Sequence, residues 1–393
     1  MKTPYFLISE EMLNANVNAF KMALENLWPN SILAYSVKTN SLPWLLKYLN
    51  KQGIMAEVVS DEEFHLASKC GYEDEKIIFN GPIKGFDLLK KALLSGTYVN
   101  IDSQNDLECI QKVKPQNATI GIRVNVDLSF FEESDIGYSE TGFRFGFSVG
   151  NGQFQRALEV IKKYAPNAKL GLHLHCNSIT RSVGVYKSIA KFAAYLIKEY
   201  SLELDFIDIG GGFFGGCEGK PSAEEYITAI KDELFSIVDP QKTKLILEPG
   251  SAIIGSAVDY HTKVVDVKDT DYSRIITTDG SRVHIDPLWS KNRYLYSISQ
   301  TVSTNMIKKQ IVCGYTCMDH DRIMNLENEP ELRVGDEIIY HRVGAYSMTF
   351  GGMFIRYYPE VYVERKLQRE CVRKTGSVEM YMNIHSCEKE EIK

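Results

Sequence analysis

The sequence predicts an α/β protein, a (β/α)8 barrel of the TIM type followed by a smaller, mostly β, sandwich-like domain. Eight short apolar runs lie between residues 32 and 248, and helix-like segments with polar or acidic starts separate most of them. This alternation requires parallel strands with right-handed crossovers, and eight repeats match the barrel. After Gly255 the apolar segments alternate or are β-branched, without long helical patterns between them. An open, doubly wound sheet is the alternative for the first part of the chain.

Each element follows from its local pattern. A short strand is predicted at 4–8, and a helix follows it through Leu13, Val17 and Phe20. The barrel strands are predicted at 32–38, 55–59, 76–80, 97–102, 119–126, 168–176, 204–209 and 244–248. The clearest barrel helices are expected at 61–67, 105–110, 183–200 and 223–238. Strands of the second domain are expected at 258–268, 273–279, 308–314, 336–342 and 360–364.

The expected domain boundaries follow from the same change of pattern. The barrel is expected to span 27–255 and the β domain 256–393, with the N-terminal segment 1–26 joining the two. The tail beyond Arg365 is rich in charge, and its last residues are expected to fray.

Composition excludes several classes of function. The chain has 393 residues, 44% of them hydrophobic and 24% charged, with a net charge of -6, so neither nucleic acid nor an anionic membrane is an expected partner. The N-terminal segment lacks an apolar signal core, and no apolar run approaches membrane-spanning length, so we expect a cytoplasmic protein. The eight cysteines form no Cys-x-x-Cys pair, so we expect neither a disulfide framework nor a metal site.

Chemically distinctive residues fall at the predicted carboxyl ends of the barrel strands, where such barrels place their functional groups. Lys38 ends the first strand, and His173 and His175 end the sixth. A glycine triplet beginning at Gly210 ends the seventh strand, and Glu248 ends the eighth. These groups are therefore expected to lie close together at one end of the barrel, which we call its mouth.

Each of these groups has an ordinary structural interpretation beside a functional one. Lys38 either extends to the surface or has a pKa lowered by desolvation and forms a Schiff base. The glycines make either a tight turn or a backbone cradle for phosphate. The histidines are either core residues or functional rings that stack on a flat cofactor or act as a general acid or base. Glu248 either shapes a turn or keeps a heterocyclic nitrogen protonated. Together the functional interpretations fit pyridoxal phosphate, which needs an amine, a phosphate nest and an acidic partner for its ring nitrogen.

Eight segments in fixed order carry a family resemblance over almost the whole chain. They are Tyr35-Ser-Val-Lys-Thr-Asn40, Glu57-Val-Val-Ser-Asp-Glu-Glu63, Phe143-Arg-Phe-Gly-Phe147, Gly171-Leu-His-Leu-His-Cys-Asn-Ser178, Asp208-Ile-Gly-Gly-Gly212, Glu248-Pro-Gly250, Cys313-Gly-Tyr-Thr-Cys317 and Gly344-Ala-Tyr346. The chain thereby resembles the fold-type III pyridoxal-phosphate decarboxylases, the group that includes diaminopimelate and ornithine decarboxylases. The resemblance implies the same barrel and β domain.

The resemblance also implies roles at matching positions. Lys38 matches the lysine that joins the cofactor, His175 the ring that stacks on it, and Cys317 a cysteine that is lent across a homodimer interface as a proton donor. The other cofactor contacts implied are Glu63, Ser178, Gly210, Gly211, Gly212, Glu248, Gly250 and Tyr346. The implied reaction is decarboxylation of an amino acid held as an external aldimine in a site shared between two subunits.

Three positions depart from the family pattern. Ser251 stands where most relatives have an arginine after Glu-Pro-Gly, and Met318 stands where an acidic residue usually follows the cysteine. Asp319 and Asp321 are the candidates to compensate for Met318. Asp286 replaces an arginine that diaminopimelate decarboxylases tend to have before the proline. Arg282 and His284 are candidate replacements, with a surface salt bridge as the alternative role. Arg282, Asp286, Met318 and Tyr346 are therefore the expected substrate-binding residues.

The departures concern the substrate rather than the cofactor. We therefore expect the decarboxylase reaction to be kept and the substrate to be a modified or conjugated amino acid. The alternatives are a racemase or aldolase on a related barrel, and a relative that binds the cofactor without catalysis.

Overall fold

A closed parallel barrel forms the first of two compact units. The computed structural model describes residues 1–136, 141–299 and 304–386, and its units comprise 15–253 and 1–14 with 254–393. The chain opens with β1 (Tyr5–Ser9) and α1 (Glu10–Leu27). The barrel strands are β2 (Ser31–Ser36), β3 (Met55–Val58), β4 (Ile77–Phe79), β5 (Tyr98–Ile101), β6 (Thr119–Arg123), β7 (Lys169–His173), β8 (Phe206–Asp208) and β9 (Lys244–Leu247).

Every neighbouring pair of these strands is parallel, and β2 pairs with β9 to close the ring. The predicted barrel is confirmed, and the open-sheet alternative is wrong. The domain boundaries given above stay predictions of where the chain can be divided, and limited proteolysis would test them.

Helices cover the outside of the barrel. They are α2 (Pro43–Lys51), α3 (Asp61–Lys69), α4 (Phe86–Leu94), α5 (Gln104–Val113), α6 (Gln153–Tyr164), α7 (Val183–Glu199), α8 (Ala223–Leu234) and α9 (Ser251–Ile254). Serine side chains cap the starts of α3, α5, α7 and α8, each accepting a backbone N–H from the first turn. At α8, Ser222 and Glu225 complete a reciprocal capping box.

An apolar floor closes the barrel interior below the site. Ala34, Met55, Ile78, Phe206 and Ile246 form this buried cluster. The Phe206 ring packs directly against the backbone of Gly171 in the neighbouring strand β7, where an added Cβ would overlap the ring.

The second unit is a mostly antiparallel sheet that includes β1. Its other strands are β10 (Val258–Asp269), β11 (Arg274–Thr278), β12 (Leu295–Ser299), β13 (Met306–Cys313), β14 (Arg322–Pro330), β15 (Glu337–His341), β16 (Glu360–Arg365) and β17 (Gln368–Arg373). The order is β14-β13-β11-β10-β1-β16-β17, with β15 paired to β10 and β12. Two short helices, α10 (Arg282–Ile285) and α11 (Val378–His385), complete it.

The predicted β domain is confirmed, but three of its strands were not predicted. Strands β12 and β17 are largely exposed, and β14 buries only two of its nine residues, so no continuous apolar run marks these three strands. The expected fraying of the last residues falls on 387–393, outside the described residues. No helix among the described residues is both long and apolar enough to cross a bilayer.

Candidate active site

Lys38 lies at the mouth of the barrel, in a single helical turn that follows β2. Its Nζ donates to Ser36 Oγ at 2.8 Å and to Glu57 Oε2 at 2.9 Å. The Lys38 side chain is 41% exposed, whereas that of Glu57 is 1% exposed. The amine is thus held by a buried carboxylate on one side and open to solvent on the other, so a carbonyl compound can reach it.

Amide side chains join the carboxylates inside the barrel. Asn80 Nδ2 donates to Glu57 Oε1 at 2.9 Å and to Glu248 Oε1 at 2.8 Å. Asn100 Nδ2 donates to Asn80 Oδ1 at 2.8 Å and to Asp208 Oδ2 at 2.9 Å. One hydrogen-bonded chain therefore connects the lysine's partner to the carboxylate that ends β9. We call these five residues the polar network: Glu57, Asn80, Asn100, Asp208 and Glu248.

Sequence reasoning identified Glu248 as a site residue but missed the other four members of the polar network, although a signal for them exists. Side chains two residues apart in a strand point to the same face. Each network residue stands two positions after a residue of the apolar floor or after Tyr98, which packs against that floor. The pairs are Met55/Glu57, Ile78/Asn80, Tyr98/Asn100, Phe206/Asp208 and Ile246/Glu248. A polar residue at that offset in a buried strand would have identified the network.

Burial controls the protonation of the two carboxyl groups deepest in the site. Burial and the adjacent Asp208 raise the pKa of Glu248 well above its ordinary value. Burial raises the pKa of Asp208 to about 6, although the hydrogen bonds that it accepts oppose the rise. Burial and Asp208 therefore favour the protonated form of Glu248, whose proton can be shared with a basic ring nitrogen.

His173 contributes an unsatisfied group beside Glu248. Its Nε2 lies 3.7 Å from Glu248 Oε2, and within the described residues neither of its ring nitrogens has a hydrogen-bond partner. Burial and then the charge of Arg123 lower the pKa of His173 well below its usual value, so the ring is neutral. A buried polar atom without a partner is costly unless a ligand satisfies it.

The glycine triplet after β8 packs directly against His175. Gly210 and Gly212 have φ values of 71° and 94°, and a Cβ on Gly210 would lie 2.7 Å from the His175 side chain. Gly211 N–H donates to His175 Nδ1 at 3.3 Å. Burial, Arg123 and Lys38 lower the pKa of His175 to about 3, so its ring is neutral and its remaining proton is on Nε2. This arrangement suits a ring that stacks on a flat cofactor.

Ser178 and Gly250 lie in the loops after β7 and β9. Ser178 Oγ donates to the Asp135 carbonyl at 3.1 Å and accepts from Arg181 N at 3.0 Å, so its hydroxyl proton is already used within the protein. A Cβ on Gly250 would overlap the Thr39 side chain, beside Lys38. The structure thus brings Gly250 close to the lysine turn, whereas Ser178 belongs to a hydrogen-bonded loop.

Glu63 belongs to the first turn of α3, on the next strand-helix unit after Lys38. Its carboxylate accepts a hydrogen bond from Val59 N at 2.9 Å. Burial raises the pKa of Glu63 to about 7, with an added contribution from Glu57. Its predicted contact with the cofactor stays a prediction.

In the β domain, the two predicted substrate residues Arg282 and Asp286 bind each other. Arg282 Nε and Nη2 donate to Asp286 Oδ2 at 3.0 and 2.9 Å. Lys291 N and Tyr294 Oη also donate to this carboxylate, each at 3.0 Å. Burial opposes ionisation of Asp286, but these hydrogen bonds outweigh it and lower its pKa. Asp286 is therefore an ionised, fully engaged carboxylate.

The segment after β13 carries Cys317, which is exposed, and Met318, which is half-buried. Asp321 is buried and accepts hydrogen bonds from Ser281 Oγ at 2.9 Å and Thr316 Oγ1 at 2.6 Å. It therefore shapes this loop. Tyr346 follows β15 with a φ of 52° and a side chain that is 38% exposed.

A cation could also be considered in the barrel. Ligand atoms of His173, Asp208 and Glu248 lie within 4.8 Å of one another. However, each carboxylate already accepts an amide hydrogen bond from the polar network. The neighbouring lysine and glycine turn suit an organic cofactor better, and we keep the prediction of no metal.

The residues in the barrel fit pyridoxal phosphate. An accessible amine, a glycine turn with no room for Cβ atoms, and a buried acid beside an unsatisfied histidine occur together at one end of the barrel. These groups match the aldehyde, phosphate and ring nitrogen of that cofactor.

Comparison with known proteins agrees with this geometry. A family model described as "Pyridoxal-dependent decarboxylase, pyridoxal binding domain" matches residues 11–255. A protein of Oryza sativa subsp. japonica, "Probable diaminopimelate decarboxylase, chloroplastic", is 28% identical over 98% of this chain and 79% of its own length. The diaminopimelate decarboxylase of Archaeoglobus fulgidus is 28% identical over 90% of this chain and 85% of its own.

A solved structure shows the same fold over nearly the whole chain. Diaminopimelate decarboxylase from M. jannaschii in complex with L-lysine superposes with a TM-score of 0.83 at 21% identity, over 98% of this chain and 92% of that one. The family match covers more than half of the chain. The chain therefore belongs to the pyridoxal-dependent decarboxylases, the carboxy-lyases that use pyridoxal 5'-phosphate to remove the carboxyl group of an amino acid.

Proposed function

We propose that this enzyme decarboxylates an amino acid other than meso-diaminopimelate, and that it acts as a homodimer with shared active sites. The observation that carries the first part is Asp286, which stands where diaminopimelate decarboxylases tend to have an arginine. Asp286 supplies no positive charge for the distal carboxylate that an arginine would bind, and its pairing with Arg282 engages the neighbouring guanidinium as well.

The loop after Cys317 supports a changed substrate as well. Met318 cannot pair with a distal ammonium group. Asp319 and Asp321 were the possible substitutes, but Asp321 is buried within its loop and Asp319 pairs with Arg322 at 2.9 Å. This loop therefore offers few free carboxylates that could bind the distal ammonium group of diaminopimelate.

The barrel residues suit the decarboxylation step itself. When bound, pyridoxal phosphate supplies the electron-withdrawing ring that accepts the electron pair left at Cα when CO2 departs. Glu248 would hold the proton at the ring nitrogen, and Asn80 would fix the orientation of that carboxyl group. Glu57, bonded to Lys38 Nζ, would stabilise the ammonium form of the lysine whenever substrate has displaced it.

The exposure of Cys317 supports the shared site, because a proton donor to a partner subunit must be accessible on its own subunit. Four apolar or aromatic side chains within ten residues are also more than a third exposed, a pattern typical of a surface covered by a partner. They are Tyr346, Phe350, Phe354 and Ile355.

The test is a panel of amino acids assayed for CO2 release by the purified enzyme, with meso-diaminopimelate included. We expect a modified or conjugated amino acid to give the highest kcat/KM. If meso-diaminopimelate were the best substrate, the proposal of altered specificity would be wrong. Chiral analysis of the products detects racemisation in the same samples, and Lys38→Ala serves as the inactive control.

A further inference from the structure

Arg181 places a charge at the point where three loops of the barrel mouth meet. Its Nη1 donates to Ser251 Oγ at 3.3 Å, and its guanidinium carbon lies 5.5 Å from the centre of the Phe214 ring. The side chain is half-buried, and among the described residues no carboxylate lies within ion-pair distance of it. A half-buried arginine without an internal counter-charge is available for an anionic ligand.

The backbone of Arg181 is fixed on both sides. Its N–H donates to Ser178 Oγ at 3.0 Å, and its carbonyl accepts from Tyr226 Oη at 2.7 Å. Its φ of 51° is in the left-handed region, which arginine adopts only when its surroundings require it. The origin of the side chain is therefore set by the fold, and its direction is set by the contacts with Ser251 and Phe214.

The three loops that meet here are those expected to contact the cofactor's phosphate. Arg181 is three residues after Ser178, Phe214 is two residues after the glycine triplet, and Ser251 directly follows Gly250. Glycine N–H groups and serine hydroxyls offer hydrogen bonds but no full positive charge. Ser251 stands where most relatives place an arginine, so this position carries no positive charge. The guanidinium of Arg181, which donates to Ser251 Oγ, brings a positive charge to the same place.

We propose that Arg181 is the cationic ligand of the cofactor's phosphate, in place of the arginine that this chain lacks at position 251. The inference rests on the proposed function, because it requires pyridoxal phosphate at the barrel mouth. It also explains how the chain keeps the cofactor positions of the family while carrying serine after Glu-Pro-Gly.

Lys220 offers a matched control. Its Nζ lies 5.1 Å from the centre of the same Phe214 ring, but its side chain is exposed. Lys220→Gln therefore removes one positive charge from the neighbourhood without removing a contact to Ser251.

The experiment measures cofactor affinity rather than turnover. Apo forms of wild type, Arg181→Gln and Lys220→Gln are titrated with pyridoxal phosphate and with pyridoxal, which lacks the phosphate, and binding is followed by absorbance. Loss of a charge-assisted contact should weaken binding of pyridoxal phosphate by about 10- to 100-fold in Arg181→Gln. Pyridoxal affinity should change little, and Lys220→Gln should behave like wild type.

Moving the positive charge from position 181 to position 251 distinguishes a specific role of Arg181 from general damage to the fold. The double variant Arg181→Gln with Ser251→Arg should regain most of the lost affinity for pyridoxal phosphate, and circular dichroism should show intact folding of each variant. Equal loss of pyridoxal and pyridoxal phosphate affinity, or unchanged affinity with a raised KM for the amino acid, would overturn the proposal. If wild type itself failed to bind pyridoxal phosphate, the proposed function would fail instead.

Discussion

Asn80 is the amide on which the polar network depends, and its replacement by alanine should destabilise the barrel. The change removes donors to Glu57 and Glu248 and the acceptor for Asn100 Nδ2. Leaving a buried hydrogen-bonding group without its partner costs about 1–3 kcal/mol, and water entering the space should offset part of the loss. We therefore expect the free energy of unfolding to fall by about 3 kcal/mol.

For a domain of this size, that loss corresponds to a decrease of about 6–12 °C in the melting temperature. Differential scanning calorimetry at one scan rate and one cofactor concentration measures it. Asn30→Ala is a suitable control, since Asn30 Nδ2 donates to the Gln241 carbonyl near the surface at 3.0 Å. A melting temperature of Asn80→Ala within 2 °C of Asn30→Ala, a difference of about 1 kcal/mol or less, would refute the reasoning.

Three further predictions concern the same site. Burial raises the pKa of Glu63 from 4.5 to about 7, so this carboxyl stabilises the folded state below about pH 4.5, and that stability is lost as the pH rises through 7. At pH 8 the free energy of unfolding of Glu63→Gln should therefore exceed that of wild type by about 1–2 kcal/mol, after allowance for partial exposure, and at pH 5 the two should differ little. Melting temperatures at both pH values measure this difference. An equal difference at both pH values, or the same behaviour in the exposed Glu62→Gln, would contradict the prediction. Borohydride reduction followed by peptide mass spectrometry should find the pyridoxyl group on Lys38, and a label on another lysine would invalidate the assignment. Mixing inactive Lys38→Ala with Cys317→Ala should restore about a quarter of wild-type activity if a symmetric dimer shares its sites, whereas unchanged activity after subunit exchange would argue against sharing.

The sequence was informative where burial imposes a pattern. The barrel strands are buried on both faces, so they appear as continuous apolar runs, and their ends located Lys38, His175 and Glu248. Strands β12, β14 and β17 are exposed edges or extensions of the sheet, where backbone pairing rather than side-chain burial decides the structure.

Other parts of the site depend on contacts that local sequence does not encode. Asp286 and Arg282 are four residues apart on a single helical turn, which is too short to leave a helical pattern. Arg181 and Ser251 are 70 residues apart and meet only because β7 and β9 lie in one closed barrel. Such pairs become visible only when the topology is known.

The apolar floor has a consequence for attempts to alter this enzyme. The Phe206 ring fills volume that two neighbouring strands give up at Gly121 and Gly171. A Cβ at Gly171 would overlap this ring, so a larger residue there is compatible with the fold only if position 206 becomes smaller in the same variant. A Cβ at Gly121 would instead overlap Asn100 Oδ1, so a larger residue there would disturb the polar network. Directed-evolution libraries should therefore vary positions 171 and 206 together, and position 121 only together with position 100.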